Sequence, residues 1–353
     1  VIETGFIPAE ETRPPLDGLS GVLQEQLRLN YDVGATVVGL VQRPLPASTS
    51  SLIHEVDVVL QGGDRLELIA KNVGPTGFLG QARRVKPLFL RNPLREVEMY
   101  ASLLRDGDRG TPFYFGAHTD PRRGECVLFL ERVRGVDLRD VGSGPDWEAA
   151  ARWLAAFHAR FGGTDRPALA SLVSYDDDYF RLWPGRAEAN VASGETDAGR
   201  RRSLARVVDS YDRVAGVLAS LPSTVVHGEF YPSNVLVRER PPARAPLTDS
   251  LICPLDWEMA GWGPGLLDLA ALASGSWQEE QRRSFVRAYA SATSLAAVSS
   301  AREGELMHIL DHCLLHIAMQ WLGWAASWTP PTRHQHDWLD TALSAARRIG
   351  LPT

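Results

Sequence analysis

The stretch VVHGEFYPSNVLV, residues 225–237, is an apolar run that breaks at His227, carries Glu229 and Asn234 in a short polar loop, and then resumes. A second run, SLICPLD at 250–256, ends on Asp256. Two adjacent strands ending at one edge would bring the loop at 227–234 to the turn after Leu255, so that Glu229, Asn234 and Asp256 converge. Two carboxylates and an amide oxygen are hard donors suited to Mg²⁺. That ion takes few protein ligands and fills its octahedron with phosphate oxygens and water. Phosphoryl transfer needs such a clamp.

Elements that could position these residues can be read along the chain. A first helix is expected near 17–29. ATVVGLVQR (35–43), SLIHEVDVVL (51–60) and RLELIAKNV (65–73) are β-branched and aliphatic runs separated by turn material, and read as three antiparallel strands. QGGD (61–64) supplies two glycines for a tight hairpin. NPLREVEMYASLL (92–104) starts with a helix-favouring Asn-Pro and is expected as a helix beside the strands. ECVLFLERVRGVDL (125–138) reads as a strand leading out of one lobe, with Gly135 easing the turn. From Asp146 the pattern turns helical: Ala150, Trp153, Leu154, Phe157 and Phe161 share one face, and Leu204, Val207, Val208, Tyr211, Val214 and Leu218 share another. The expected class is α+β in two lobes, 1–130 with a small antiparallel sheet and 131–353 mainly helical, joined by a hinge at about 129–135.

Composition narrows the partners. The chain has 353 residues, 44% of them hydrophobic, a net charge of −6 and no basic block, which argues against nucleic acid. Cys126, Cys253 and Cys313 are odd in number and far apart, which fits a reducing cytoplasm better than a disulfide framework or zinc. The opening VIETGFIPAEE has no signal-peptide pattern. The apolar stretch 313–328 is shorter than a membrane span and includes His316 and Gln320, so a buried helix is expected and no membrane. A monomer or homodimer is expected.

His227-Gly-Glu-x-x-x-x-Asn234, followed by Leu255-Asp-Trp-Glu-x-x-Gly-x-Gly-Pro-x-x-x-Asp268-Leu-Ala, resembles the aminoglycoside phosphotransferase and choline kinase type of small-molecule kinase. The likeness extends to Lys71 in the third strand, Arg95 to Tyr100, LFLERVRG at 128–135 and WLAAFH at 153–158; 162–200 and 276–353 carry no matching motif. The resemblance implies a bilobal protein-kinase-like fold and an ATP- and Mg²⁺-dependent transfer of the γ-phosphate to an alcohol. Aminoglycoside-like antibiotics, sugars, nucleosides and amino alcohols form the acceptor range, in antibiotic resistance or natural-product metabolism. It further implies that Lys71 orients the α- and β-phosphates and that Glu96 pairs with Lys71. Asn234 and Asp256 would bind Mg²⁺, and Glu229 would receive the acceptor's proton. The backbone of Phe129, Leu130 and Glu131 would meet the adenine, Ser48, Ser50 and Ser51 would cover the phosphates, and His227 and Asp268 would brace the loop. The family has aspartate where this chain has Glu229, one methylene longer.

Each signal has a plainer reading. Glu98 competes with Glu96, and alignment with Arg95 and Tyr100 favours Glu96. His158 reads as a core histidine. Asp176, Asp177 and Asp178 are either a solvated loop or an acidic rim for a cationic acceptor. Trp321, Trp324, Trp328 and Trp338 read as helix packing, with one or two available to stack on a sugar. Two further functions compete with the kinase: a nucleotide-binding protein with little or no transfer, motivated by Glu229 and the glycine-free loop 44–51, and a kinase of Ser or Thr in a peptide natural-product precursor.

Overall fold

The computed structural model describes residues 18–45, 51–79, 87–105, 110–141, 144–163, 165–194, 196–239, 251–292, 300–324 and 336–353. The chain divides into two compact units, Val1–Arg83 with Phe113–Arg132, and Arg84–Pro112 with Val133–Thr353. Residues 84–112, expected with the first lobe, group with the second unit, where the buried Arg95 donates to the carbonyls of Ser171, Leu90 and Glu258.

In the first unit, α1 (Leu19–Asn30) places Leu19, Leu23 and Leu27 at helical spacing in a core completed by strand residues such as Val56, Val58, Leu68 and Phe129. The three expected strands are present as β1 (Val37–Pro44), β2 (Leu52–Leu60) and β3 (Arg65–Asn72). They join β4 (Tyr114–Asp120) and β5 (Glu125–Glu131) in an antiparallel sheet of order β1-β2-β3-β5-β4. YFGAHTD mixes small and polar residues without alternation, so sequence patterning does not reveal β4. Gly62 and Gly63 take φ of 103° and 95° in the β2–β3 turn, a conformation that needs residues without Cβ.

The second unit begins with α2 (Pro93–Glu98), opened by Asn92, whose side chain accepts the Leu94 N–H at 3.0 Å, and continued by a π turn over Met99–Leu103. Next come β6 (Gly135–Asp137), α3 (Gly144–Phe161), β7 (Val173–Ser174), α4 (Asp177–Arg181), α5 (Trp183–Ser193), α6 (Ala198–Asp209) and α7 (Asp212–Ser220). Then follow β8 (Ser223–Val226), β9 (Val235–Arg238), β10 (Ile252–Pro254), β11 (Gly261–Pro264), α8 (Leu266–Leu272), α9 (Glu279–Ala292), α10 (Ser300–Trp324) and α11 (Trp338–Arg348). The short strands form two three-stranded sheets, β10-β9-β6 and β7-β11-β8. Trp153, Phe157, Phe230 and Trp257 pack ring on ring beneath them. The three cysteines are buried free thiols. Among the described residues no helix is long and apolar enough to cross a membrane, and the apolar stretch from Cys313 to Trp324 lies within α10.

His316, inside α10, is 1% exposed, and burial pulls its pKa down to about 3. The unfolded chain takes up a proton at this histidine near pH 6.5, while the folded chain stays neutral there. The stability it contributes is therefore whole above pH 6.5 and is lost as pH falls towards 3. Thermal unfolding at pH 7.5 and 5 is expected to show about 2 kcal/mol of acid loss in the wild type that His316→Gln lacks. Equal acid losses in the two proteins would contradict this.

Candidate functional site

Two strand pairs hold two loops against each other. β8 pairs with β11 with Val226 opposite Gly261, and β9 pairs with β10 with Val235 opposite Pro254. The loop 227–234 leaves β8 and enters β9, while 255–260 leaves β10 and enters β11. The loops are therefore aligned at both ends. Leu255 N–H donates to the Asn234 carbonyl at 2.8 Å, and His227 Nε2 lies 2.8 Å from the Leu255 carbonyl. Glu229 N–H approaches His227 Nδ1 at 3.3 Å, so Nδ1 accepts and Nε2 carries the proton donated to Leu255.

Asp268 lies at the start of α8 with 0% exposure. Its Oδ2 accepts from His227 N–H at 2.6 Å and from His158 Nε2 at 3.1 Å, and its Oδ1 accepts from Gly228 N–H at 2.8 Å. His158 Nδ1 meets the Tyr289 hydroxyl at 2.9 Å. Gly228 has φ 82°, and a Cβ there would collide with the Met259 carbonyl and the Tyr175 hydroxyl, which is why the motif has glycine between His227 and Glu229. Asp268→Asn sets an amide N–H₂ against donors that need an acceptor. A loss of about 2–3 kcal/mol in thermal or urea unfolding is expected, and an unchanged midpoint would contradict the bracing contacts.

Glu229 is partly exposed. Its carbonyl accepts from Tyr231 N–H at 2.7 Å and from Asn234 Nδ2 at 3.0 Å, so the loop closes on its own backbone. Its charge is felt by Tyr175, Tyr179 and Tyr231, whose phenols are pushed up first by burial. Arg95 is 3% exposed and donates to the carbonyls of Ser171 (2.7 Å), Leu90 (3.0 Å) and Glu258 (2.5 Å). It ties α2 to the turn that carries Asp256. Tyr175 holds the same turn through Met259 O at 2.7 Å.

Asp256 takes φ 64°, the one positive φ at a non-glycine among the described residues. That conformation costs an L-residue, least for Asn and Asp. The Asn234 amide is fixed through Nδ2 on the Glu229 carbonyl, and the Leu255–Asn234 backbone bond ties Asn234 to the residue that precedes Asp256. An amide oxygen and a carboxylate are the donor set that Mg²⁺ accepts, so the residues fit that ion. Among the described residues no three His, Cys, Asp or Glu gather as a metal cluster.

The remaining expected positions fall as follows. Lys71, on β3 opposite Ile53 and Leu128, is 5% exposed; Glu96, on α2, is 2% exposed. Ser51 is 1% exposed and bridges to Phe78, while Ser48 and Ser50 lie outside the described residues. Phe129 and Leu130 lie in β5 between β3 and β4, where both sides of the strand are paired, and Glu131 N–H donates to Phe113 O at 2.9 Å. Those amides are already engaged in the sheet.

Asp176 caps α4 by accepting Tyr179 N–H at 3.0 Å, Asp177 pairs with Arg181 at 2.6 Å, and Asp178 is exposed. In SYDDDYF it is the tyrosines that turn inwards. Tyr175 and Tyr179, four apart and on either side of the aspartates, are 5% and 7% exposed. Trp321 Nε1 donates to the Tyr231 hydroxyl at 2.7 Å and stacks on Trp338 at 5.2 Å; Trp324 stacks on Trp183 at 6.1 Å, and Trp328 lies outside the described residues.

A model of APH, the phosphotransferase enzyme family, matches residues 95–305. No curated protein matches the sequence. Among solved structures, a choline kinase from Cryptosporidium parvum Iowa II is 11% identical with a TM-score of 0.58, over 93% of this chain and 94% of that one. A microcompartment-associated aminopropanol kinase is 18% identical with a TM-score of 0.55, over 92% and 94%. A point mutant of aminoglycoside 2'-phosphotransferase-IIIa in complex with GDP is 14% identical with a TM-score of 0.54, over 94% and 97%. The likeness to these structures is one of fold, α+β and kinase-like.

Proposed function

Since the chain belongs to the phosphotransferase enzyme family, we propose that it moves the γ-phosphate of ATP to a hydroxyl of a small molecule, with Glu229, Asn234 and Asp256 at the centre. The observation that carries this reading is the registration of the two loops through Leu255 N–H and the Asn234 carbonyl, which ties a fixed amide to the residue before the left-handed Asp256.

Asn234 and Asp256 hold Mg²⁺ in this proposal. When bound, the ion neutralises charge on the nucleotide's phosphate oxygens. Lys71 orients the α- and β-phosphates, with Glu96 as its counter-charge, and Ser51 belongs to the phosphate-covering loop with Ser48 and Ser50. The adenine contact is assigned to the backbone of Phe129, Leu130 and Glu131; the Glu131 N–H, which donates to Phe113 O, would have to exchange that bond for the base. Glu229 accepts the acceptor's hydroxyl proton as the new O–P bond forms and the bond to the bridging oxygen breaks, releasing ADP. Three buried free thiols support a reducing cytoplasm.

The experiment is a mass-shift screen for the gain of one phosphate, with ATP and Mg²⁺, across amino sugars, macrolides, nucleosides, amino alcohols and short Ser/Thr peptides. Gain of phosphate on a small-molecule hydroxyl is expected. Phosphate on peptides alone, or ATP binding with no hydrolysis and no transfer, would overturn the reading.

A further inference from the structure

The loop 227–234 contains two turns that meet at Tyr231. Tyr231 N–H donates to the Glu229 carbonyl at 2.7 Å and closes the first; Asn234 N–H donates to the Tyr231 carbonyl at 2.8 Å and closes the second. Tyr231 is therefore the joint between Glu229 and Asn234. The two aromatic side chains at this joint are anchored in different elements. Phe230 is 0% exposed, stacks on Trp153 of α3 at 5.8 Å and packs edge-on to His227 at 5.6 Å. Tyr231 is half-buried and turns to α10, where its hydroxyl accepts from Trp321 Nε1 at 2.7 Å and its ring meets the indole at 5.6 Å and 63°.

Trp321 is itself held. Its ring lies parallel to that of Trp338 on α11, 5.2 Å away at 5°, and Trp338 meets His336 edge-on at 4.5 Å. The next two residues of α10 are tied to α5, with the Leu322 carbonyl accepting from Asn190 Nδ2 at 3.0 Å and the Gly323 carbonyl from Arg186 Nε at 3.1 Å. Both tryptophans fall in 276–353, where the sequence carries no motif of the family. No step of the transfer described above uses the side chain of Trp321 or of Tyr231.

An indole N–H only donates, so the phenol oxygen must accept and the direction of this bond is fixed. A donor already immobilised by stacking restrains its partner at little further cost in side-chain entropy. We propose that Trp321 is a positioning residue for phosphoryl transfer, acting through the Tyr231 phenol to hold Glu229 and Asn234 in the loop arrangement that reacts. This rests on the phosphotransferase reading of Glu229 and Asn234. Displacing a reacting group by ~1 Å can cost roughly 10²-fold in rate, so a loop arrangement without the bond contributes little turnover. Loss of the bond raises the share of such arrangements by at most the bond's own worth, which limits the effect to about one order of magnitude. Trp324, one turn further along α10, stacks on Trp183 at 6.1 Å and makes no contact with Tyr231 among the described residues, so it reports on helix packing apart from this bond.

The test measures ADP release by the full chain with ATP, Mg²⁺ and uridine, methyl glucoside, choline or kanamycin, and with water as the acceptor where none of the four takes phosphate. Trp321→Phe keeps an aromatic ring against Trp338 and loses the donor; Tyr231→Phe keeps the ring and loses the acceptor. Each is expected to lower kcat roughly threefold to tenfold, the worth of one neutral hydrogen bond, with the KM for ATP nearly unchanged and little change in Tm, since water reaches the half-buried partner left behind. The double variant should lose no more than either single one, because both break the same bond. Trp324→Phe should keep the wild-type kcat. In spectra of protein labelled with ¹⁵N at the indoles, the Trp321 Nε1–H signal, identified by its absence in Trp321→Phe, should move in Tyr231→Phe. An unmoved signal, additive losses in the double variant, or a Trp324→Phe loss as large as that of Trp321→Phe overturns the proposal. So does a Trp321→Phe protein that melts earlier with kcat unmoved. ADP release at the same rate in the wild type and Trp321→Phe overturns this inference alone; no ADP release by the wild type with any probe or with water overturns the phosphotransferase reading, and this inference with it.

Discussion

Asp256→Ala is expected to lower kcat for phosphoryl transfer by roughly 10³-fold or more, the scale at which removing one preorganised electrostatic group is felt, here through the cation it would hold. The backbone makes this prediction sharper than a simple loss of a ligand. Asp256 sits at φ 64°, where glycine would be relaxed and an L-residue costs about 1–2 kcal/mol. The chain keeps a carboxylate in a position that conformation alone would assign to glycine. Asp256→Gly should therefore hold or raise the melting temperature while losing transfer as fully as alanine does, and Asp256→Asn should keep the turn but lose the charge. The measurements are kcat across a Mg²⁺ titration and Tm for all three variants. Near-normal kcat in Asp256→Ala would sink the assignment, and a fall in Tm for Asp256→Gly would show that the strained conformation is not what the carboxylate costs.

Glu229→Gln is expected to lower kcat by roughly 10²-fold or more, within the range for general acid–base groups. The side chain keeps its length and loses the ability to take a proton. Glu229→Asp separates the two meanings of the longer side chain. The loop is held at Glu229 N–H by His227, at its carbonyl by Tyr231 N–H and Asn234, and one residue earlier by the Asp268 contact to Gly228. A backbone held at these points does not advance to make up for a shortened side chain. The aspartate carboxylate then falls short by about one C–C bond, and a drop in kcat of roughly 10²-fold follows. If this chain were a slowed phosphotransferase or mainly a nucleotide binder, aspartate would instead restore activity. Higher kcat in Glu229→Asp than in the wild type would therefore refute a working Glu229.

Much of the arrangement is legible in the sequence, and the reasons differ by element. Strands β1, β2 and β3 are readable because β-branched and aliphatic runs bounded by turn residues have few other solutions, and Gly62 and Gly63 announce the hairpin between two of them. The start of α2 is written in Asn92 and Pro93. Its end is not: a helix expected through 104 changes to a π turn at Met99, which local propensity does not encode. The grouping of 84–112 with the second unit follows from Arg95, whose donors go to Ser171, Leu90 and Glu258, and such pairings are invisible along the chain.

In the segment SYDDDYF the fold adds contacts that the charge pattern does not encode. Three aspartates stand out in a sequence, yet Asp176 and Asp177 answer to α4 itself, one capping it and one pairing with Arg181. The tyrosines on either side look like ordinary core residues until the fold sets Tyr175 on the Met259 carbonyl and Tyr179 between Trp183 and His316.

By itself, the sequence determined which residues are available for the chemistry and how they are spaced. His227, Glu229, Asn234, Asp256 and Asp268 have side chains whose donor and acceptor sets are set by residue type, and short loops between apolar runs leave them few places to go. Only the tertiary structure decided what each of them faces. The pairing of β8 with β11 and β9 with β10, the left-handed turn at Asp256 and the packing of Tyr179 against His316 depend on contacts between segments well separated along the chain, where burial and hydrogen-bond geometry, not local sequence, set the energy.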